Sequence, residues 1–309
     1  MRLQPANVAD LSAALAKASA AATKISHVNL SALAQLLAHT PGDMTATVET
    51  GIGFAALQAQ LARQGQWLPL DPPNPDTITV ADVLDRDLSG PRRFGYGTIR
   101  EHLLGVRVVL ADGRIIRNGG KVVKNVAGYD LCKLFVGARG TLGVIVEATF
   151  KLRPLPEAEQ FVATRAASLE EAGTRMEAVL DSALTPVAFE LFDTTVVLGF
   201  AGSREEVAWQ MALAASLGFI ETASLEHEQK FWRDDAPVQR ASVPPSRLIE
   251  TLTRLRVREY VARAGNGTIY YRGGAAPPTP DFPAALTRRI KDTYDPAHIL
   301  PELSPYAAP

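Results

Sequence analysis

The stretch GGKVVKNVAGYDLCKLFVGARGTLGVIVEATFKLRPLP, from Gly119 to Pro156, decides the fold. Three of its six glycines are spaced three apart just before an apolar run. Glycine is used where the backbone needs a positive φ or must approach another group closely. From Leu142 to Leu152 apolar and polar residues alternate, which predicts a half-buried strand. RPLP (153–156) ends that strand and predicts a domain boundary.

The flanking sequence predicts further strands and helices. Upstream, residues 105–120 alternate around Asp112-Gly113, which predicts a hairpin with a two-residue turn. Ser31 is predicted to cap a short helix that carries Leu33, Leu36 and Leu37. Downstream, helical and strand patterns alternate and predict a second α+β domain of antiparallel strands backed by helices. The remaining predicted helices are 7–22, 54–65, 129–135, 168–184 and 203–218, with one more in the C-terminal tail, and the remaining strands are 44–51 and those within 188–203.

Composition excludes several classes of partner and site. Lys plus Arg (32) balance Asp plus Glu (33) in 309 residues, so electrostatic binding to nucleic acid or an anionic membrane is not expected. Cys132 is the one cysteine, which excludes an intrachain disulfide and a cysteine-built metal site. The N-terminus has no apolar core of signal-peptide kind, and no apolar run reaches the ~20 residues of a membrane span. We expect a cytosolic or peripherally attached protein.

Familiar catalytic motifs are missing from the sequence. There is no dinucleotide fingerprint opening a βαβ unit, no phosphate loop ending in Gly-Lys-Ser/Thr, and no nucleophile elbow with its Asp and His in order. The five histidines are scattered, with no pair at metal-ligand spacing, so no metal site is predicted. If the protein is an enzyme, its chemistry belongs to a cofactor.

Three glycine-bearing segments lie close to predicted strands: 89–98, 119–130 and 135–145. Each alone fits a tight hairpin turn. Turn backbone can also direct N–H groups at phosphate oxygens without a charged side chain. Three such segments within 57 residues (89–145) favour a large ligand that contains a pyrophosphate.

The quoted stretch resembles the signature of the flavin-binding E subunits of glycolate oxidases, which are FAD-linked oxidases of the vanillyl-alcohol oxidase type. GQWLPLDPPNPDT (65–77), SGPRRFGYGTIR (89–100) and LLGVRVVLADGRIIRNGG (103–120) are similar to the same subunits, in the same order. The tail RRIKDTYDPAHILP (288–301) resembles the closing segment of that family. The similarity is dense over residues 43–156 and thin beyond them.

The resemblance implies an α+β fold with an FAD-binding PCMH-type domain of two subdomains. That domain would occupy residues 1–155, followed by a smaller α+β cap domain, 156–309, whose C-terminal tail returns to the first. The implied contacts run from the flavin ring to the adenosine end of FAD. Pro72 and Pro73 would lie by the ring, Ser89 and Gly90 by the pyrophosphate or ring edge, Gly97 and Thr98 along the same cleft, and Gly140, Thr141, Val144 and Ile145 at the adenosine end, with Gly128 and Tyr129 as further candidates.

Two positions depart from the family pattern. The first FAD loop of the family, Arg-Gly-Gly-Gly-Thr-Lys, is matched here by SAAATK (19–24), with Ala20–Ala22 in place of the glycines. In the second, TVADVLDRDLSG (79–90), Ala81-Asp82 replace a Gly-Gly pair and Asp87 an asparagine. Alanine costs about 1 kcal/mol where φ must be positive, and a carboxylate repels a pyrophosphate. We therefore predict an FAD affinity weaker than is usual in the family.

Three functions follow from the resemblance. The first is the FAD-binding subunit of a complex that oxidises a 2-hydroxy acid such as glycolate, inactive alone and assembled with a larger flavin subunit and an iron–sulfur subunit. The second is a flavin-free structural subunit of such a complex, which has lost FAD binding. The third is a stand-alone oxidoreductase acting on another substrate. No catalytic base is identified from the sequence.

Overall fold

The computed structural model describes residues 1–120, 131–234, 236–275 and 283–302. These residues form two compact units. Unit 1 contains residues 1–88, 98–120, 131–155 and 283–302, and unit 2 contains residues 89–97, 156–234 and 236–275. The division near 155 coincides with the RPLP segment, and residues 89–97 pack with unit 2.

The regular elements are numbered in chain order. The described helices are α1 (Val8–Ala20), α2 (Phe54–Ala62), α3 (Val80–Arg86), α4 (Arg93–Tyr96), α5 (Ile99–His102), α6 (Cys132–Phe135), α7 (Leu169–Leu180), α8 (Arg204–Ser216), α9 (Glu226–Arg233), α10 (Leu248–Leu255) and α11 (Ala284–Tyr294). The described strands are β1 (Arg2–Leu3), β2 (His27–Val28), β3 (Leu36–Thr40), β4 (Thr45–Glu49), β5 (Gln66–Trp67), β6 (Leu103–Val109), β7 (Ile115–Gly119), β8 (Val144–Lys151), β9 (Arg153–Pro154), β10 (Ala158–Arg165), β11 (Ala188–Phe192), β12 (Thr195–Gly202), β13 (Glu221–Thr222), β14 (Gln239–Ser242), β15 (Glu259–Arg263) and β16 (Thr268–Arg272).

Unit 1 is built on a five-stranded antiparallel sheet of order β3-β4-β8-β6-β7. The predicted hairpin is confirmed, since β6 pairs with β7. The two-residue turn is wrong: Leu110 N donates to the carbonyl of Arg114, so residues 111–113 form a three-residue loop in which Gly113 takes a φ of +85°. The strand predicted from the quoted stretch is β8, which lies between β4 and β6. Strand β8 thus carries the residues that follow the glycine-rich loop into the middle of the sheet.

Strand β8 is buried more completely than its alternation predicts. The register with β6 shifts between Arg107 and Val108, where Val146 of β8 is the extra residue of a β-bulge. Val144 and Val146 pack with the core that includes α1, whereas Ile145 and Phe150 pack with the core that includes α2. Both faces of the strand are therefore covered, and Ile145 is buried although the alternation placed it on the polar face.

The helix predicted to start at Ser31 is wrong. Leu36 lies instead in strand β3, which pairs with β4 along the edge of the sheet. Three leucines in a short span fit either a helix turn or a partly buried strand, and pairing with β4 decides between them.

The second altered loop of the sequence is a helix, α3, in the structure. Thr79 and Asp82 form a capping box at its start, and Val80, Val83 and Leu84 recur on its buried face. Ala81 has a high helix propensity and Asp82 supplies the capping carboxylate, so the local sequence favours a helix here.

Unit 2 contains a seven-stranded antiparallel sheet of order β13-β10-β12-β11-β15-β16-β14. Helices α7, α8 and α10 cover one face and enclose a core that includes Phe189, Leu198 and Leu252. A smaller cluster around α9 contains Phe231, Val261 and Tyr270. The predicted α+β class is confirmed in both units, and no helix among the described residues is long and apolar enough to cross a membrane.

Candidate functional site

A cleft of about 570 Å³ opens in unit 1 beside the glycine-rich loop and the start of α3. It combines main chain, apolar side chains and four charged side chains of both signs. The lining residues are Ile25, Ser26, His27, Val28, Asn29, Leu30, Ser31, Gly51, Thr79, Ala81, Asp82, Asp85, Arg86, Arg139, Gly140, Val144, Ile145, Leu300 and Pro301. Three residues predicted at the adenosine end of a ligand, Gly140, Val144 and Ile145, therefore share one wall.

The loop before β8 is held against α3 by main-chain hydrogen bonds. The N–H of Gly137 donates to the carbonyl of Leu84 (2.8 Å), and that of Arg139 donates to the carbonyl of Asp85 (2.9 Å). Gly140 has a φ of +68°, and an added Cβ would meet only Asp85 Oδ2, 3.8 Å away. The glycine is therefore required by its backbone conformation rather than by lack of space.

The main-chain donors at the start of α3 are all used within the chain. Thr79 N donates to Asp82 Oδ2 (2.8 Å), and Asp82 N donates to Thr79 Oγ1 (3.2 Å). The N–H groups of the other residues in 79–83 donate to carbonyls: Val80 to Ile52, Ala81 to Thr50 and Val83 to Thr79. This segment presents side chains rather than backbone N–H groups to the cleft.

Residues 19–24, predicted to match the first FAD loop of the family, form the C-terminal cap of α1. Ala22 N donates to the carbonyl of Ser19, and Thr23 N donates to that of Ala18, which is the Schellman pattern. Ala22 adopts a φ of +49° at the position where helices usually place glycine. Ala20–Ala22 are not among the cleft-lining residues, and the carbonyl end of a helix carries partial negative charge.

Two carboxylates and two guanidinium groups line the cleft. Burial alone would raise the pKa of Asp82, but hydrogen bonds from Thr79 and Arg86 outweigh it and hold that pKa below its usual value. Burial and the nearby charge of Asp82 raise the pKa of Asp85 to about 7, against a lowering by Arg86. With Arg86 and Arg139 both charged, the summed charge of these four groups near pH 7 lies between zero and +1.

A buried lysine ties the C-terminal tail to the loop before β8. Lys291 Nζ donates to the carbonyl of Thr141 (2.8 Å), to Asp295 Oδ2 (2.7 Å), and to the carbonyls of Leu300 and Pro301. Thr141 therefore does not line the cleft itself but supports the wall beside Gly140. Leu300 and Pro301 line the cleft.

The other predicted site residues lie outside this cleft lining. Pro72 is buried and Pro73 half-buried in the loop after β5. Thr98 caps α5 in a box with Glu101. The three that belong to unit 2 are Ser89, whose Oγ accepts from Arg93 (3.3 Å), the buried Gly90, and Gly97, which ends α4 at a φ of +84°. Their grouping around one ligand stays a prediction, and Gly128 and Tyr129 lie outside the described residues.

Unit 2 contains a buried charged cluster that the sequence did not indicate. Glu190, His227 and Glu228 bring potential metal-ligand atoms together, but the guanidinium of the fully buried Arg263 donates to both carboxylates. Burial lowers the pKa of His227 to about 4, against a raising effect of Glu228. Because Arg263 already balances the carboxylates, the cluster reads as a structural ion-pair network that joins α9 to the sheet.

Comparison with known proteins finds similar sequences over part of the chain. Residues 15–119 match the family model described as an FAD binding domain. The chain is 32% identical over 235 residues to the glycolate oxidase subunit GlcE of Escherichia coli, covering 69% of this chain and 64% of that protein. It is 34% identical over 164 residues to the glycolate oxidase subunit GlcD of Bacillus subtilis, covering 53% and 35%. It thus spans between a third and two thirds of these relatives.

Solved structures support the same fold. An alkyldihydroxyacetonephosphate synthase superposes with a TM-score of 0.75 over 98% of this chain and 77% of that one, at 14% identity. Identity that low shows the fold alone.

A D-lactate dehydrogenase of Archaeoglobus fulgidus is 39% identical over 130 residues, covering 41% of this chain and 29% of that protein. Over part of its length the chain is therefore similar to an FAD binding domain and to subunits of glycolate oxidases.

Proposed function

We propose that this chain is the FAD-binding subunit of a complex that oxidises a small 2-hydroxy acid, with glycolate as the first candidate. The similarity to a glycolate oxidase subunit over 69% of the chain supports the substrate class. The single structural observation that carries the proposal is the cleft of unit 1, whose wall contains Gly140, Val144 and Ile145.

The residues of the cleft fit the adenosine and pyrophosphate parts of FAD. Gly140 leaves open space on its Cβ side, and Val144 and Ile145 are largely apolar surface beside it. Arg86 and Arg139 provide cationic donors in the same cleft. A cofactor with an apolar aromatic end and a dianionic linker requires such a combination.

This chain's own contribution to the reaction is to bind and orient the cofactor. A flavin supplies an acceptor for the hydride that leaves the α-carbon of a 2-hydroxy acid. Lys291 fixes the carbonyl of Thr141 and those of Leu300 and Pro301, so the loop and the tail are held to each other beside the cleft. We assign no catalytic base.

Electron transfer onward requires a partner or a soluble acceptor. An iron–sulfur cluster needs about four thiolates, and this chain has one cysteine, Cys132. We propose that a larger flavin subunit and an iron–sulfur subunit complete the assembly, and that the chain is inactive alone towards glycolate. The assembly is expected in the cytoplasm or on the inner membrane through partners.

A flavin-free structural subunit is the second candidate. It is favoured by the hydrogen bonds that occupy the main-chain donors of residues 79–83 and of Ala22 and Thr23. A stand-alone oxidoreductase is the third candidate. The first and second candidates differ in whether the chain binds flavin. The third differs from both because the isolated chain would be active.

The experiment is a comparison of the isolated full chain with the chain co-purified with its larger flavin and iron–sulfur subunits. Flavin absorbance per chain and glycolate-dependent reduction of an artificial dye are measured on both. The proposal predicts flavin binding by the chain and turnover only in the complex. Substantial turnover by the isolated chain would favour the stand-alone enzyme.

A further inference from the structure

We propose that the guanidinium groups of Arg86 and Arg139 bind the pyrophosphate of the cofactor, in place of the main-chain N–H groups that a glycine-rich loop would offer. This inference rests on the proposed function, and it concerns which atoms of this chain hold the anionic part of FAD. It follows from the hydrogen bonding of the two altered segments and from the charges of the cleft.

The first step is that the altered segments cannot supply backbone donors as they stand. Every N–H group in residues 79–83 is hydrogen bonded inside the chain, two of them in the Thr79–Asp82 capping box. At the end of α1, the N–H groups of Ala22 and Thr23 cap the helix. A pyrophosphate would have to break these bonds to use either segment.

The second step is that Arg86 stands in the cleft with most of its donors uncommitted. Its guanidinium has five N–H groups, and Nη2 donates to Asp82 Oδ1 at 2.8 Å. That carboxylate is its one hydrogen-bond partner among the described residues, and 40% of the side chain is exposed. A planar guanidinium in this state can donate two parallel hydrogen bonds to phosphate oxygens.

The third step places a second arginine beside the predicted adenosine wall. Arg139 precedes Gly140, and its own backbone has a φ of +53° and donates to the carbonyl of Asp85. The loop and the end of α3 are thereby joined, and both Arg86 and Arg139 line the cleft. A pyrophosphate adjoining an adenosine held at Gly140 would lie near Arg139.

The fourth step concerns the balance of charge. Asp82 and Asp85 oppose a dianion, and without arginines the cleft would repel it. Asp82 is paired with Arg86, and burial favours the neutral form of Asp85. The two arginines therefore turn an acidic cleft into one that accepts an anion, although with less affinity than a glycine loop free of carboxylates.

The experiment measures binding of FAD, ADP and adenosine to the full chain by equilibrium dialysis, without reference to activity. The variants are Arg86→Gln and Arg139→Gln, with Arg63→Gln as the matched control, since Arg63 is exposed at the end of α2 and does not line the cleft. We expect each cleft variant to weaken FAD and ADP at least about tenfold and to leave adenosine unchanged. Thermal unfolding of each variant verifies that it is folded.

A double variant separates direct contact from charge pairing. If Arg86 only neutralises Asp82, Asp82→Asn/Arg86→Gln will bind ADP as wild type does, which would overturn the inference. ADP affinity unchanged in both single arginine variants would also overturn it while leaving the proposed function intact. Failure of the wild-type chain to bind FAD would contradict the proposed function and this inference together.

Discussion

Lys291 and Asp295 form a buried ion pair of 2.7 Å one helical turn apart, at the end of α11. Lys291 is 5% exposed and Asp295 is fully buried. Asp295 also accepts from the backbone N–H groups of Ile299 and Leu300, while Lys291 reaches the carbonyl of Thr141. This pair therefore connects the tail to the loop that forms one wall of the cleft.

Replacing Lys291 with methionine is expected to destabilise the protein by about 3–5 kcal/mol, because the buried charge of Asp295 loses its partner. FAD binding should weaken in the same variant, since three carbonyls around the cleft lose their common donor. Thermal unfolding and FAD dialysis measure the two effects. Arg289→Met, an exposed change on the same helix, is the control and should stay within about 0.5 kcal/mol of wild type. Equal stability of the two variants would contradict the role of Lys291.

Ala22→Gly is expected to stabilise the chain by up to about 1 kcal/mol. Ala22 is held at a φ of +49°, where glycine has no Cβ penalty. Chemical denaturation measures the free energy of unfolding. The matched change Ala13→Gly, at an exposed site within α1, should destabilise by about 1 kcal/mol. If Ala22→Gly destabilised the chain as Ala13→Gly does, Ala22 would not have the positive φ described here.

The buried arginine of unit 2 should matter far more than an exposed one. Arg263→Leu leaves Glu190 and Glu228 buried without their cation and is expected to cost about 3–5 kcal/mol. Arg165 forms an exposed pair with Asp193 at 3.0 Å, so Arg165→Leu should cost less than about 1 kcal/mol. Unfolding curves of the two variants provide the comparison. A loss of less than about 1 kcal/mol in Arg263→Leu would contradict the description of this cluster as a structural ion-pair network.

The affinity for ADP should rise as pH falls through about 7. Asp85 lines the cleft with a pKa raised to about 7, so acidification neutralises a carboxylate that repels the ligand. Asp82, whose pKa is lowered, keeps its charge over this range. Dialysis at pH 6 and pH 8 measures the effect, which should be smaller in Asp85→Asn than in wild type.

The raised pKa of the Asp85 carboxyl also predicts how the stability of the folded chain depends on pH. The folded chain binds a proton on Asp85 more tightly than the unfolded chain, whose carboxyl has its ordinary pKa near 3.9. The contribution of this group is therefore present at low pH and is lost as pH rises through about 7. Asp85→Asn should be more stable than wild type at pH 8, and a pH-independent difference would contradict this assignment.

The sequence predicted those features that depend on local pattern. Strand β8 follows from its alternation, and the β6–β7 hairpin follows from Asp112-Gly113. The bulge at Val146 depends on pairing with β6, so the alternation alone could not place Ile145 in the core. Strand β3 likewise depends on pairing with β4, so the sequence alone predicts a helix at Leu36.

Most of the cleft lining was missed, since only Gly140, Val144 and Ile145 of its residues were predicted as ligand contacts. The capping box of Thr79 and Asp82 is a local signal that predicts helix α3, and it could have been recognised. The approach of Arg139 to α3 and the contact of Lys291 with Thr141 join distant segments, which a single sequence does not reveal. The spacing of four residues between Lys291 and Asp295 on a predicted helix was the one sequence signal for this ion pair.

The most direct test of the central claim is an FAD titration of the purified full chain by equilibrium dialysis, with flavin absorbance counted per chain. We expect saturable binding of one FAD per chain, competed by ADP. Absence of saturable binding, alone and in the co-purified complex, would contradict the account and identify the chain as a structural subunit.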